Sequence, residues 1–265
     1  MSQIDNIQEN PRLTFVSCFV KIYDEEPFSY KNIEWRIQQF EYIAKLDVDI
    51  CIYGDEVTTP HLEVLVQKYP NVRLLEMTTP YKETALYTFC STPGLSYPER
   101  RSDSKDVIKY MALMNAKMEF VRDAIEKNPF ASQTFAWMDF SMAYIFNQKE
   151  TTLSKLEAVS KRDWSNKPFM LIPGCWAPAD ANNNTAIISA VHWRFCGTFF
   201  MGDAGSLMDF YRIYLENYPR CIQDTQKWLW EVNVWAWLEA NTEWKPQWYS
   251  ADHNDRIITD IPGSD

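Results

Sequence analysis

The stretch TFAWMDFSMAYIF, residues 134–146, is apolar at almost every position and contains one carboxylate, Asp139. Continuous apolar runs of this kind are typical of strands buried on both faces of a sheet. An unpaired charge inside such a sheet is strongly unfavourable. We therefore expect Asp139 to lie near the end of its strand and to point into a crevice. The alternative is a structural aspartate that caps the following turn.

The segments before this stretch alternate between strand and helix patterns. Strand patterns cover 13–22, 48–54 and 71–77, helical patterns cover 30–46, 58–70 and 104–129, and residues 78–103 are predicted as a long loop. Ser104 is the predicted N-cap of the third helix. This βαβα order predicts an α/β fold with a Rossmann-type, mostly parallel sheet flanked by helices. In such sheets ligands bind outside the carboxyl ends of the strands, which is where we expect Asp139.

Length and charge limit the possible functions. The chain has 265 residues, a net charge of -10 and 46% hydrophobic residues, as in an ordinary globular protein. The negative charge argues against a nucleic-acid partner, because nothing would balance a phosphate backbone. We expect a single domain, 1–265, with a first half at about 1–141 and a second half at about 142–265.

The cysteines and the N-terminus bear on the compartment. Six cysteines are scattered without a CxxC spacing, which favours buried thiols over disulfides or a zinc site. The first residues lack the basic start and apolar centre of a signal peptide. Because no apolar run is long enough, we expect no membrane span. Together these features predict a cytoplasmic protein.

Four segments carry a resemblance to a known family. FVSCFVKI (15–22), KYMALMNAKMEFVRDAIEKNP (109–129), FAWMDFSMA (135–143) and CGTFFMGD (196–203) are similar to the bacterial HtrL/YibB-like family of glycosyltransferases, within the GT-A fold. The resemblance implies a GT-A-like domain that transfers a sugar from a UDP- or GDP-sugar donor to a glycan hydroxyl. It also implies a divalent cation, Mn²⁺ or Mg²⁺, bound through an Asp-x-Asp signature.

The resemblance places the donor in the first half of the chain and the acceptor in the second. The implied donor-binding residues are Phe15, Val16, Lys109, Lys117, Asp139 and Ser141. In the signature position this chain has Asp139, Phe140 and Ser141, so the second carboxylate is missing. Lys117 is expected to neutralise a donor phosphate, and Arg100 and Arg101 in the long loop are an alternative phosphate clamp. A solvated surface charge is the simpler interpretation of Lys117.

A late histidine is the second predicted metal ligand. In several metal-dependent GT-A families such a residue joins the aspartate at the cation, and His253 occupies that place here. Asp139 and His253 would suffice, because diphosphate oxygens and water complete the shell. The alternative is a surface histidine between Asp252 and Asp255. His61 and His192 are weaker candidates.

Glu231 is the predicted catalytic base. It lies in a predicted helix, 224–241, on the face of Trp228 and Trp235. A carboxylate among indoles is desolvated, which makes it a stronger base. A structural ion pair with Lys227 is the alternative.

Other residues of the second half have two interpretations each. Asp224 is either the N-cap of the predicted helix or a second catalytic carboxylate in the cleft. Trp176, Trp244 and Trp248 are candidate platforms for the acceptor sugar, although most tryptophans are core residues. The alternative function is a non-catalytic carbohydrate- or nucleotide-binding module, since the second signature Asp is absent.

Overall fold

The computed structural model describes residues 10–164 and 167–263, and most of the N-terminal stretch considered above lies outside them. One sheet of seven strands runs through the described residues in the order β3-β2-β1-β4-β6-β5-β7. The strands are β1 (Asn10–Phe19), β2 (Asp49–Gly54), β3 (Val72–Leu75), β4 (Ser132–Met138), β5 (Met170–Gly174), β6 (Phe199–Asp203) and β7 (Gln247–Ser250). All neighbouring pairs are parallel except the two that β6 makes, with β4 and with β5. The predicted α/β fold with a mostly parallel sheet is confirmed.

Helices cover both faces of this sheet. They are α1 (Ile33–Ala44), α2 (Thr59–Lys68), α3 (Ala85–Cys90), α4 (Ile108–Asn115), α5 (Lys117–Lys127), α6 (Lys149–Lys161), α7 (Thr185–Ser189), α8 (Ala204–Thr225), α9 (Glu231–Asn241) and α10 (Arg256–Thr259). Within the described ranges, none of them combines the length and the apolar character that crossing a membrane requires.

The core consists of two layers, one on each face of the sheet. Neighbouring residues of β1 point into opposite layers, as the period of a strand requires. Val16 packs in the layer that contains Trp137 and Trp235, and Phe15 packs in the other layer, with Phe40. Both β1 residues are completely buried. The expectation that Phe15 and Val16 contact the donor is therefore wrong, because β1 is a central strand that is covered on both faces.

Two predicted helix boundaries are also wrong. The helix expected from Ser104 begins at Ile108, after Val107, and it is interrupted at Ala116, so that it forms α4 and α5. The region predicted as a long loop contains α3. Helical periodicity correctly indicated the helical region that forms α4 and α5, but it indicated neither α3 nor the interruption at Ala116.

The predicted helix 224–241 is two helices. α8 continues to Thr225 and ends at Gln226, whose left-handed conformation (φ 54°) cannot extend a helix. α9 begins only at Glu231. Asp224 therefore lies in the last turn of α8, so its predicted N-cap role is wrong. Glu231 therefore lies in the first turn of α9, whereas the sequence predicted it in the middle of one long helix.

Candidate functional site

Asp139 directly follows β4, at the carboxyl end of the parallel strands. Its backbone N–H donates to the carbonyl of Thr198 (2.9 Å), and its Oδ1 accepts a hydrogen bond from Trp137 Nε1 (2.9 Å). The side chain is 38% exposed. These two bonds hold the carboxylate in a fixed orientation at the surface, as expected for a strand-end aspartate.

Lys117, the first residue of α5, is almost completely buried beside Asp139. Its Nζ lies 3.0 Å from Asp139 Oδ1 and 2.8 Å from Glu231 Oε1. It also donates to the carbonyl of Gly197 at 2.8 Å. Although burial lowers the pKa of Lys117, the two carboxylates raise it above its ordinary value. The lysine is therefore a permanent ammonium shared by two carboxylates, rather than a free group waiting for a donor phosphate.

Glu231 reaches this cluster from the second half of the chain. Its side chain is 7% exposed, and its position in the first turn of α9 favours a negative charge through the helix dipole. The alternative partner Lys227 is not used, since its Nζ donates to the carbonyl of Tyr97 (3.1 Å). A Cβ on Gly197 would lie 2.1 Å from Glu231 Oε1. Only glycine at that position therefore leaves room for the glutamate carboxylate.

Two adjacent cavities meet at Asp139. The first, of about 350 Å³, is lined by Glu231, Lys117, Trp193 and Trp230 among others, and we call it the Glu231 cavity. The second, of about 240 Å³, includes Tyr144, and we call it the Tyr144 cavity. Six residues line both cavities: Lys105, Tyr110, Met114, Asp139, Thr198 and His253. The wall between the cavities thus contains both predicted metal ligands.

His253 is placed in this wall by the loop that follows β7. Its ring packs edge-on against Trp193, with a centroid distance of 4.5 Å, and its Nδ1 lies 3.2 Å from Asp252 Oδ1. Its side chain is 31% exposed. Asp139 and His253, 114 residues apart in the chain, therefore line the same two cavities, and His253 is not simply a surface residue.

Ser141 takes the position of the missing signature carboxylate. It is 8% exposed, it lines the Tyr144 cavity, and its hydroxyl has no hydrogen-bond partner among the described residues. A buried polar atom without a partner calls for an explanation, and a bound ligand supplies one. The donor set of carboxylate, imidazole and hydroxyl fits Mn²⁺ better than Mg²⁺, because Mg²⁺ strongly prefers oxygen.

The Tyr144 cavity is positively charged and aromatic. Lys31 Nζ lies 4.3 Å from the centroid of the Tyr144 ring, and Arg36 and Lys105 also line the cavity. Burial lowers the pKa of Lys31, and the neighbouring Arg36 and Lys105 lower it further. Glu26 binds Arg36 at 3.0 Å, and Asp106 lies 3.6 Å from Lys105 Nζ. The lining of this cavity thus has three cations and two carboxylates, Glu26 and Asp139, and the excess of positive charge favours the binding of an anion.

The structure brings the alternative phosphate clamp to the Glu231 cavity. Arg100 and Arg101 both line it. Arg101 binds Asp103 (2.8 Å) and its guanidinium carbon lies 3.8 Å from the centroid of the Tyr97 ring. These arginines are thus beside the cavity that contains Glu231, across the wall from the Tyr144 cavity.

Several other candidates lie away from both cavities. Lys109 is exposed and lines a separate cavity with Lys82, so it does not meet Asp139. Asp224 is 37% exposed, lies 3.8 Å from Arg220 on the same helix and lines neither cavity, so nothing in the structure supports its catalytic assignment. His61 is exposed on α2 and His192 is buried against Trp176.

The three predicted sugar platforms also lie elsewhere. Trp244 is a core residue stacked on Phe210, and Trp248 Nε1 donates to the carbonyl of Arg194 (3.0 Å). Trp176 is 46% exposed. None of the three lines the Glu231 or Tyr144 cavity, and Trp193 and Trp230 take that place. Sequence context did not separate them, because charged or polar neighbours occur in both groups, as at Trp244 between Glu243 and Lys245 and at Trp193 between His192 and Arg194.

Comparisons with known proteins assign neither a family nor an activity to this chain. The chain matches no family model and no curated protein. It is similar to mouse xyloside xylosyltransferase 1, with 8% identity over 91% of this chain and 85% of that chain and a TM-score of 0.49. It is also similar to the 4-diphosphocytidyl-2C-methyl-D-erythritol synthase of Anaerococcus prevotii, with 8% identity, 96% and 95% coverage and a TM-score of 0.42. At this level of similarity neither structure assigns an activity to this chain, and membership of the HtrL/YibB-like family stays a prediction.

Proposed function

We propose that this chain is a GT-A-like glycosyltransferase that moves a sugar from a UDP- or GDP-sugar to a glycan hydroxyl. One observation carries the proposal: Asp139 and His253 lie in the wall between a cationic, aromatic cavity and a cavity that contains a buried carboxylate. A transferase that uses an anionic donor and a hydroxyl acceptor needs these two environments side by side.

The donor is assigned to the Tyr144 cavity. Lys31, Arg36 and Lys105 supply positive charge for the diphosphate, and the ring of Tyr144, which is 49% exposed, offers a face for the nucleotide base. Asp139, His253 and the free hydroxyl of Ser141 would hold Mn²⁺. The cation would stabilise the charge on the departing nucleoside diphosphate.

The acceptor is assigned to the Glu231 cavity. Glu231 accepts the proton of the attacking hydroxyl from the lining of this cavity, where Lys117 Nζ holds its carboxylate at 2.8 Å. When Glu231 becomes protonated, Lys117 retains Asp139 as its partner at 3.0 Å, so no unpaired cation is left buried. Trp193 and Trp230 provide apolar surface for the sugar ring. In this assignment the first half of the chain binds mainly donor and the second half mainly acceptor.

The test combines binding with turnover. We expect calorimetry to show binding of UDP or GDP that is strengthened by Mn²⁺, and we expect slow release of nucleoside diphosphate from the matching sugar donor without acceptor. Asp139→Asn should abolish this hydrolysis and keep the fold, since an amide oxygen can still accept the bond from Trp137. The matched control is Asp209→Asn, whose side chain is 69% exposed on α8.

The outcomes separate this proposal from the alternative. Mn²⁺-dependent nucleotide binding without hydrolysis of any UDP- or GDP-sugar would favour a non-catalytic binding module. If neither nucleotide binds, or if Asp139→Asn hydrolyses donor at the normal rate, the assignment of the Tyr144 cavity is wrong.

A further inference from the structure

A second cluster of side chains that can act as metal ligands lies next to His253, outside the site described above. The Sγ atoms of Cys175 and Cys196 and a carboxylate oxygen of Asp252 all lie within 4.8 Å of one another. These residues come from three segments of the chain, and no spacing in the sequence connects them. Of these groups, neither thiol lines the Glu231 or the Tyr144 cavity.

Backbone hydrogen bonds fix the three segments around the end of β5. Cys175 directly follows β5, and its N–H donates to the carbonyl of Trp193 (3.0 Å). The N–H of Cys196 donates to the carbonyl of Pro173 at 2.7 Å. The N–H of Ala251, next to Asp252, donates to the carbonyl of Gly174 at 2.9 Å. The sheet therefore holds the backbone of all three segments in place around the cluster.

The surroundings leave one side of the cluster open. Cys196 is completely buried, whereas Cys175 is exposed and the side chain of Asp252 is 66% exposed. A cation can enter from solvent, and water can take a remaining coordination position. Two thiolates and one carboxylate form a soft to borderline donor set, which selects Zn²⁺ over Mg²⁺ or Ca²⁺.

We propose that Cys175, Cys196 and Asp252 bind a Zn²⁺ ion, with water as the fourth ligand. The ion would anchor the loop that carries His253, whose Nδ1 lies 3.7 Å from Cys196 Sγ and 3.2 Å from Asp252 Oδ1. This proposal does not depend on glycosyl transfer.

The experiment uses the full chain, reduced and stripped of metal with a chelator. We expect one equivalent of Zn²⁺ to bind in competition with a chromophoric chelator. Co²⁺ should give a thiolate-to-metal charge-transfer band together with the visible bands of a tetrahedral site. Cys175→Ser and Asp252→Asn should each weaken Zn²⁺ binding by at least about tenfold. The matched controls are Cys221→Ala, a buried thiol on α8, and Asp209→Asn.

Cys175→Ser is the decisive variant because its side chain is exposed and its loss does not open the core. Unchanged Zn²⁺ affinity in this variant, or a Co²⁺ spectrum without a thiolate band, would overturn the proposal. So would a count of four free thiols in the wild-type protein purified without reductant together with five in Cys175→Ser, because it would assign Cys175 and Cys196 to a disulfide.

Discussion

Lys117 Nζ lies 2.8 Å from Glu231 Oε1, and this buried contact joins two residues that are 114 positions apart. With Asp139 at 3.0 Å on the other side, the lysine connects the strand-end aspartate to the first turn of α9. Charge in the cleft is therefore set by three residues together. A substitution at any one of the three therefore also changes the charge environment of the other two.

Lys117→Met should strongly destabilise the protein, because it leaves Glu231 as a buried charge without its cation. Removing one partner of a buried pair costs about 3–5 kcal/mol. In Lys117→Met/Glu231→Gln the uncompensated charge is absent, so the double variant should lose less than the sum of the single variants. Urea denaturation of all four proteins measures this coupling. Additive losses would mean that the pair contributes nothing, and the exposed Lys109→Met serves as the control.

Glu231→Gln should reduce sugar transfer by roughly 10²–10⁴-fold, the usual contribution of a general base, and should leave donor affinity nearly unchanged. The control is Glu239→Gln on the same helix. Glu239 is also buried, and both of its oxygens bind Arg194 at 2.7 Å, away from the two cavities. This control should lose stability and keep its turnover per folded molecule. Normal transfer by Glu231→Gln would remove its role as the base.

Gly197→Ala should impair transfer although it adds only a methyl group. The new Cβ would fall 2.1 Å from Glu231 Oε1, so the carboxylate must leave its place beside Lys117. Gly205→Ala, at the exposed start of α8, is the control. Kinetics and thermal unfolding of both variants check this expectation. Wild-type rates in Gly197→Ala would show that the observed position of Glu231 is not needed for the reaction.

His253→Ala should weaken the dependence of activity on Mn²⁺ and should affect nucleotide affinity measured without metal to a smaller extent. The reason is that the imidazole is one of the two predicted protein ligands of the cation. A Mn²⁺ titration of the variant beside that of His61→Ala, an exposed position on α2, gives the comparison. Superimposable titrations of His253→Ala and wild type would exclude His253 from the metal site.

Asp255 should make stability depend on pH in the acid range. Although burial raises its pKa, hydrogen bonds from Thr152 and from the N–H groups of Gln148 and Asn147 lower it from 3.8 to about 2. The ionised carboxylate therefore stabilises the fold above pH 3.8, and this contribution is lost as the pH falls through about 2. Asp255→Asn should be less stable at neutral pH and should show a flatter loss of stability with acid than Asp209→Asn does. If the free energies of unfolding of Asp255→Asn and Asp209→Asn decrease by the same amount as the pH falls, this assignment is wrong.

The sequence predicted where Asp139 lies in the fold better than it predicted which charged groups interact there. An aspartate after an apolar run, in a βαβα order, was enough to place Asp139 at the carboxyl end of the sheet. His253 was also placed at the cleft, through a resemblance rather than a pattern. The position of Asp139 at a strand end was predictable because strand ends follow from local hydrophobic periodicity.

The role of Lys117 was not predictable in the same way. Its partner depends on how α5 and α9 pack, and that depends on the left-handed Gln226, which ends α8 early. Nothing in the apolar run around 224–241 indicates this break. Similarly, the cationic group comes from two segments, the start of α1 with Lys31 and Arg36 and the loop with Lys105, whose charges look like ordinary surface residues when each segment is considered alone.

The order of the strands has a consequence for synthesis on the ribosome. β5 precedes β6 in the chain, yet in the sheet it pairs only with β6 and β7. During synthesis the apolar strand β5 therefore has two unpaired edges. One edge can pair only after Asp203, the end of β6, has been translated, and the other only after Ser250, the end of β7. Open edges of this kind pair readily with other chains. A pause in translation before Phe199 would be more hazardous than one after Ser250, and truncated products that end between β5 and β6 should aggregate.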